Sequence, residues 1–158
     1  MTRFDRSSVR RLGVRLVTVG GVLVVIAMFG PWVRSGSNER NSFELVDLID
    51  RLGFTPNGPI ETAIRWWPLV PLLVVVAVVL TIWLGGRTGA IVAIVVGGAV
   101  GVVGVAMRTV PETPLIGTGW GSAVDAIGGL LMVAGGTTLL LSRRLSAVPD
   151  PAGFEDGA

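Results

Sequence analysis

Residues 34–66, RSGSNERNSFELVDLIDRLGFTPNGPIETAIRW, form the one long polar segment of the chain that has an internal design. Two apolar runs flank this segment, at 16–33 and 66–84. A run of about 18 or more apolar residues, nearly free of charge, is long enough to cross a bilayer as a helix. The polar segment is therefore predicted to be a loop held between two transmembrane helices.

The composition excludes a soluble domain. Of the 158 residues, 51% are hydrophobic and only 15% are charged, which leaves too little polar surface for a soluble fold. We predict an all-α fold: a four-helix transmembrane bundle with an amphipathic helix in the first extracytoplasmic loop. The predicted spans are 16–33, 66–84, 89–107 and 120–141. The remaining segments are a basic N-terminus at 1–15, a first outer loop at 34–65, a cytoplasmic turn at 85–88, a second outer loop at 108–119 and a disordered polar tail at 142–158.

The distribution of arginine predicts the orientation of the chain. Short cytoplasmic segments of membrane proteins carry an excess of basic residues. Five arginines precede the first span, and the segments on that side of the membrane hold eight in total, against five on the other side, where six acids outnumber them. Both termini are therefore predicted to be cytoplasmic. No small-x-small cleavage site follows the first apolar run, which favours a retained span over a signal peptide.

Within the first outer loop, residues 35–40 read as a turn-rich link and an amphipathic helix is predicted over about 42–52. Asn41 can cap the first turn of this helix, and Glu44 lies three residues later, which is the spacing of a capping box. Gly53 suits the position after the last turn, where a left-handed conformation is common. A helix of about 11 residues is marginal in water. Its apolar face must therefore rest on the spans, on the bilayer surface or on another protein.

Two interpretations of that apolar face remain open. The helix could lie on the bundle as an ordinary solvated amphipathic helix, or its face could dock a protein or lipid partner. The candidate partner-binding residues are Trp32, Phe43, Val46 and Ile49. Trp32 lies where tryptophan commonly marks a membrane interface. The carboxylates of Glu44 and Asp47 share the polar side of the helix, and two acids are too few to indicate a metal site.

Asp125 is the only acid placed within an apolar run. A carboxylate inside a bilayer is costly and is often functional. Ser122 lies three residues earlier, at capping-box spacing, and Arg108 or Arg65 could pair with the acid. A structural cap or an ion pair is the favoured interpretation of this candidate intramembrane polar site, and a proton or ligand site is the alternative.

The third span carries small residues on one helical face. Ala93, Gly97 and Gly101 repeat every four residues, and Gly104 lies near the same side. Small residues on one face let two helices approach closely. The face could pack against the fourth span or against another protein, and packing inside the bundle is favoured.

The inventory of reactive side chains is poor. The chain has no cysteine and no histidine, which removes disulfides, thiolate nucleophiles, imidazole bases and the usual soft metal ligands. It has neither a GxSxG motif nor a P-loop. A formal charge of +2 is too small to indicate a nucleic-acid partner. We predict no catalytic site, no cofactor and no metal.

Several short motifs lie at the end of the first span and in the loop after it: Pro31-Trp32, Ser35-Gly36, Arg40, Ser42-Phe43-Glu44-Leu45 and Leu52-Gly53. Together they resemble a pattern in small four-span membrane proteins of GC-rich bacteria. No activity is attached to that family, so the resemblance implies a four-span architecture and no catalytic residue. The layout is also similar to claudin-type tetraspans. Because the paired loop cysteines and the Trp-Gly-Leu-Trp pattern of claudins are absent here, that likeness concerns architecture alone.

The predicted function is that of a non-enzymatic, multi-pass protein of the cell membrane. It would be an accessory or scaffold subunit that presents its first outer loop to a protein or lipid partner. The alternative is a small oligomeric transporter or channel that uses Asp125, although the spans carry few other polar residues. The predicted partners are the lipid bilayer and a membrane or envelope protein, with self-association left open and nucleic acid excluded.

Overall fold

The protein is an all-α bundle of four long apolar helices that carries a small sheet and a short helix at one end, as predicted for its fold class. The computed structural model describes residues 6–53, 58–84, 87–111 and 116–144. In chain order the helices and strands are α1 (Arg6–Phe29), β1 (Pro31–Ser35), β2 (Asn38–Asn41), α2 (Ser42–Arg51), α3 (Pro59–Trp66), α4 (Val70–Trp83), α5 (Arg87–Arg108), β3 (Ile116–Thr118) and α6 (Trp120–Arg144), with a 3₁₀ turn at Trp67–Leu69 between α3 and α4.

Four helical segments are long and apolar enough to cross a membrane. They contain 23, 20, 22 and 24 residues, and even the shortest measures about 30 Å at roughly 1.5 Å per residue. Their bounds are Ser7–Phe29, Ile64–Trp83, Arg87–Arg108 and Trp120–Arg143. Large apolar side chains cover the outside of these helices, as expected for a surface that faces lipid. The exposed ones include Val22, Ile26, Leu72, Val79, Val95, Val102 and Leu130.

The second span is interrupted near its start. Pro68 lies in the 3₁₀ turn between α3 and α4. Proline has no N–H to donate, and its ring displaces the carbonyl of the preceding turn, so the regular helical ladder stops there. A short helix, α3, lies immediately before this turn.

Helix α6 lies between α1 and α5 and packs closely against both. Two adjacent glycines of α6 face the two neighbours: Gly128 meets Gly20 of α1, and Gly129 meets Gly97 of α5. A Cβ atom added at Gly20 would lie 2.6 Å from the carbonyl oxygen of Gly128, and one added at Gly129 would lie 2.5 Å from the carbonyl oxygen of Gly97. Close backbone approach of this kind supplies van der Waals contact in a bilayer, where the hydrophobic effect does not drive helices together.

The small-residue face predicted on the third span packs inside the bundle. Its four members are buried: Ala93, Gly97, Gly101 and Gly104. A Cβ atom added at Gly104 would lie 2.8 Å from the Ala126 nitrogen and 2.8 Å from the Ser122 carbonyl oxygen, both in α6. This face is therefore the contact between α5 and α6, the favoured of the two interpretations.

The first span has different ends from those predicted. Helix α1 begins at Arg6, inside the segment predicted as a basic N-terminus, and it ends at Phe29. Residues 31–33, predicted as the last turn of this span, belong to β1. Proline at position 31 cannot donate to the helical ladder, and the helix ends before it.

The other predicted boundaries agree with the structure to within a few residues where it describes them. Helices α5 and α6 extend slightly beyond the predicted spans 89–107 and 120–141. Most of the predicted tail, 145–158, and half of the predicted turn, 85–86, lie outside the described residues.

The two loops at one end of the bundle contribute to a single antiparallel sheet with the strand order β2-β1-β3. Strands β1 and β2 form a hairpin in which Ser35 pairs with Asn38. Gly36 has a φ of +61° at the turn, and a positive φ at the first of two turn residues is typical of tight hairpins and suits glycine. The stretch predicted as a turn-rich link is therefore a hairpin.

Strand β3 joins the second loop to the first. It pairs with the free edge of β1, where Gly117 lies opposite Arg34. On the other edge the Arg34 guanidinium contacts the Glu39 carboxylate at 2.6 Å, although both side chains are about half exposed, so this pair stabilises the sheet only weakly. The sheet ties the two loops into one unit, a feature that the sequence did not predict.

Helix α2 follows the hairpin directly and has the predicted capping box. The Asn41 side-chain oxygen accepts hydrogen bonds from the backbone N–H groups of Phe43 and Glu44, at 3.0 and 2.9 Å. The Glu44 carboxylate accepts one in return from the Asn41 N–H at 3.2 Å. Gly53, just past the end of the helix, has a φ of +67°, the left-handed conformation predicted there.

Candidate functional site

The three strands, α2 and α3 form a headpiece on the end of the bundle where α1 ends. Trp32 and Ser42 fasten it to α1. The Trp32 indole N–H donates a 2.8 Å hydrogen bond to the Ala27 carbonyl, and the Ser42 hydroxyl donates one of 2.8 Å to the Met28 carbonyl. These carbonyls lie in the last turn of α1, where the helix itself offers no donor. The headpiece therefore supplies hydrogen-bond donors to the carbonyls of the last turn of α1.

Trp32 is buried and does not form part of an accessible surface. Only 2% of the residue is exposed. Its ring meets that of Trp67 edge-on, with the centroids 5.8 Å apart, and it lies so close to Gly121 of α6 that a Cβ atom there would be 2.6 Å from the indole. The side chain is therefore a packing element between headpiece and bundle, and it does not lie on the exposed surface that its predicted partner contact would use.

A groove of about 500 Å³ separates α2 from α3. Its lining combines an apolar set with a charged set. The apolar residues are Phe43, Val46, Ile64 and Pro68, and the charged residues are Asp47, Asp50, Glu61 and Arg65. The structure thus brings two of the predicted partner-binding residues, Phe43 and Val46, into one groove, whereas Ile49 is half-buried on α2 and is not among the lining residues.

Of the groove residues on α3, the sequence singled out only Arg65, and that as a partner for Asp125. Glu61 and Arg65 lie four residues apart, as do Ile64 and Pro68. Positions three, four and seven residues apart share one side of a helix, so the common face of these four residues was visible in the sequence. The pattern does not show that this face lies opposite α2. The placement of the two helices opposite each other forms the groove.

The charge of the groove is negative. Three carboxylates line it, against the single guanidinium of Arg65. Asp47 also pairs with Arg51 at 2.9 Å, but both side chains are more than half exposed, so water screens this pair and the acidic character of the rim persists. Among the described residues, no group of three acidic, histidine or cysteine side chains is placed to hold a metal ion. The groove offers apolar contact and carboxylate oxygens, which suit a basic, amphipathic segment of a protein.

Asp125 lies apart from the groove, inside the bundle. The residue is fully buried, and neither of its carboxylate oxygens has a hydrogen-bond partner in the described part of the chain. A Cβ atom added at Gly104 of α5 would lie 3.1 Å from Oδ2 of Asp125. The carboxyl therefore lies at the close contact between the backbones of α5 and α6 at Gly104.

The favoured interpretation of Asp125, a helix cap or an ion pair, is wrong for the described residues. The Ser122 hydroxyl donates to the Gly119 carbonyl at 3.2 Å and not to the carboxylate. Arg108 is exposed at the end of α5, and Arg65 lines the groove. Asp125 is a buried polar group that the bundle itself leaves unpaired.

Comparisons with known proteins found no match among protein-family models, curated proteins or solved structures. Any statement about function must therefore come from the groove and from the buried carboxyl.

Proposed function

We propose that this chain is a non-enzymatic integral protein of the cell membrane, an accessory or scaffold subunit whose headpiece binds a membrane or envelope protein. We further propose that both termini are cytoplasmic, which places the headpiece outside the cytoplasm, in agreement with the excess of arginine on the side of the termini.

The observation that carries this proposal is the groove between α2 and α3. Its apolar side chains, Phe43 and Val46 among them, lie beside three carboxylates. Phe43 also stacks against Phe29 at the end of α1, with ring centroids 5.3 Å apart. The wall formed by α2 is therefore anchored to the bundle, and a preorganised wall reduces the entropy lost when a partner binds. Apolar anchors within a polar rim are the usual composition of a protein-binding surface.

Site-specific crosslinking tests the proposal in the full chain. A photoreactive amino acid at position 46 would lie in the groove, and one at position 52 would lie at the end of the same helix, where Leu52 is 57% exposed and does not line the groove. We expect position 46 to crosslink in cells to one protein partner, and position 52 to give little or none of that product. The crosslinked segment of the partner should contain Lys or Arg beside an apolar residue.

Charge reversal is the companion experiment. Asp50→Arg should reduce the crosslink from position 46 at least several-fold, because it places a positive charge where a basic segment is expected. Glu39→Arg, an equal reversal outside the groove, should not. If positions 46 and 52 give the same adducts, or if position 46 reacts only with lipid, the groove is not a protein-binding site.

A second candidate function is a small oligomeric transporter or channel that uses Asp125. The unpaired burial of this carboxyl favours it, since intramembrane acids commonly line ion pathways. The other polar side chains of the spans do not extend such a pathway. Their hydroxyls donate to backbone carbonyls of their own helices at 2.7 to 3.0 Å, as seen for Thr18, Thr81, Thr137 and Thr138. The Thr81 hydroxyl also lies 3.2 Å from the Gly89 carbonyl of α5, to which it donates. Ion flux in proteoliposomes that is lost in Asp125→Asn would favour this candidate over the first.

A further inference from the structure

The buried carboxyl of Asp125 requires a ligand that the rest of the described chain does not provide. Nothing of the residue is exposed, and both oxygens lack a donor. An ionised carboxylate without a counter-ion is among the costliest groups to bury, whereas a protonated carboxyl is neutral and resembles an amide in polarity. The ligand must therefore be a cation small enough to reach a carboxyl enclosed between α5 and α6.

The charged groups around Asp125 do not supply that cation. Helix α5 has described arginine side chains only at its two ends, Arg87 and Arg108, and both are exposed. The charged residues of α1 all precede its apolar part, with Arg15 the last of them. Strand β1 presents Arg34, which pairs with Glu39. On α6 itself, Arg143 lies at the far end of the helix from Asp125.

The immediate surroundings of the carboxyl favour a proton over a metal ion. Gly104 lies against Oδ2 of Asp125 and against the Ser122 carbonyl oxygen, so closely that a Cβ atom there would be 3.1 Å from the first and 2.8 Å from the second. The Ser122 hydroxyl already donates to the Gly119 carbonyl. A metal ion takes six or more oxygen ligands if it is Ca²⁺ or Mg²⁺, and the site offers a single carboxyl. One proton neutralises that carboxyl and needs only one acceptor, for which the Ser122 carbonyl is nearby.

We propose that Asp125 is a proton-binding site of the bundle, occupied in the folded protein, and that loss of this proton loosens the contact between α5 and α6 at the headpiece end. There is no room at Gly104 for the water that would solvate a charged carboxylate, because even a Cβ atom there would lie 2.8 Å from the backbones of Ser122 and Ala126. An ionised Asp125 must therefore separate the two helices to reach water. The proposal does not depend on the function of the groove or on transport of a solute.

Infrared spectroscopy of the full chain in lipid tests the proposal directly. The probe is the carbonyl stretch of a protonated carboxylic acid, recorded at pH 7 from protein whose aspartates are isotope-labelled at the side-chain carboxyl. Exposed aspartates are ionised at that pH, so only a buried one can give the band. We expect the labelled band in the wild type and in Glu39→Gln, a change to an exposed acid, and its loss in Asp125→Asn. Absence of the band from the wild type would overturn the proposal, and this holds even if Asp125→Asn does not fold.

The pH dependence of stability is the second measurement. The folded chain keeps a proton that the unfolded chain releases above about pH 4, so stability of the wild type relative to Asp125→Asn must fall as pH rises. We expect the ratio of the two folding equilibrium constants to fall about tenfold for each pH unit while the carboxyl stays protonated in the bundle. A ratio that does not change with pH, or that rises, would contradict the proposal.

Discussion

At the scale of single residues, the end of α1 depends on donors from outside the helix. The carbonyls of Ala27 and Met28 belong to the last turn, whose acceptors have no partner within any helix. The buried Trp32 indole donates to Ala27, whose carbonyl also accepts from the Gly30 N–H at 3.1 Å, and the buried Ser42 hydroxyl donates to Met28. Since a buried acceptor without a donor loses its hydration and receives nothing in return, the bond from Ser42 to Met28 stabilises the headpiece more than an exposed hydrogen bond would.

Ser42→Ala tests this dependence. The substitution removes the donor and leaves the Met28 carbonyl buried and unpaired, so we expect a loss of about 1–3 kcal/mol in the free energy of unfolding. Thermal unfolding of the full chain in mild detergent, followed by circular dichroism, measures it. Ser37→Ala is the matched control, because Ser37 is exposed in the hairpin turn. Equal stability of the two variants would show that the bond contributes nothing.

Residues whose roles are local could be predicted from the sequence, and residues whose roles depend on distant partners could not. Asn41, Glu44 and Gly53 act within one helix, and spacing alone revealed the capping box and the left-handed end. Trp32 was predicted at the lipid interface because tryptophan is common there. Its burial depends on Trp67 and Gly121, which are distant in sequence, and no periodicity encodes that contact.

At the scale of the elements, α6 organises the bundle. Glycines on one side of α6 lie against the backbone of α1, and glycines on the other side lie against the backbone of α5. The sequence revealed one such face, on the third span, because its period of four is visible. The sheet was not predicted for the opposite reason: β1 and β3 are short, and their pairing joins two loops that two spans separate in the sequence.

Gly129→Ala tests the contact between α5 and α6. The added methyl group would lie 2.5 Å from the Gly97 carbonyl oxygen and 2.7 Å from the Gly101 backbone, so the helices must move apart, and we expect a loss of about 1–3 kcal/mol in the free energy of unfolding. At Gly98 the nearest atom outside the local backbone is 4.0 Å away, at Val133. Gly98→Ala should therefore be tolerated, and thermal unfolding in detergent compares the pair. If both variants unfold at the wild-type temperature, the close approach is not needed for stability.

At the scale of the whole molecule, the headpiece lies at one end of the bundle, and the start of α1 and the end of α6 lie together at the other end. Helix α1 begins at the far end and finishes beneath the headpiece, and α6 runs from the headpiece back to the far end. If the side of the membrane that holds the termini is known, the groove must therefore lie on the opposite side. The excess of arginine near the termini favours the proposed cytoplasmic location, and with that orientation the groove could bind only a partner that is accessible outside the cytoplasm.

Cysteine labelling tests this orientation without background, because the chain contains no cysteine. Ser37 is exposed in the hairpin turn of the headpiece, and Ser8 is exposed near the start of α1, so the variants Ser37→Cys and Ser8→Cys report on the two ends of the bundle. In intact cells we expect a membrane-impermeant maleimide to label Ser37→Cys and to spare Ser8→Cys, whereas permeabilised cells should label both. The reverse pattern would place the groove in the cytoplasm, and the crosslinked partner would then have to be a cytoplasmic protein, since an envelope protein could not reach Val46.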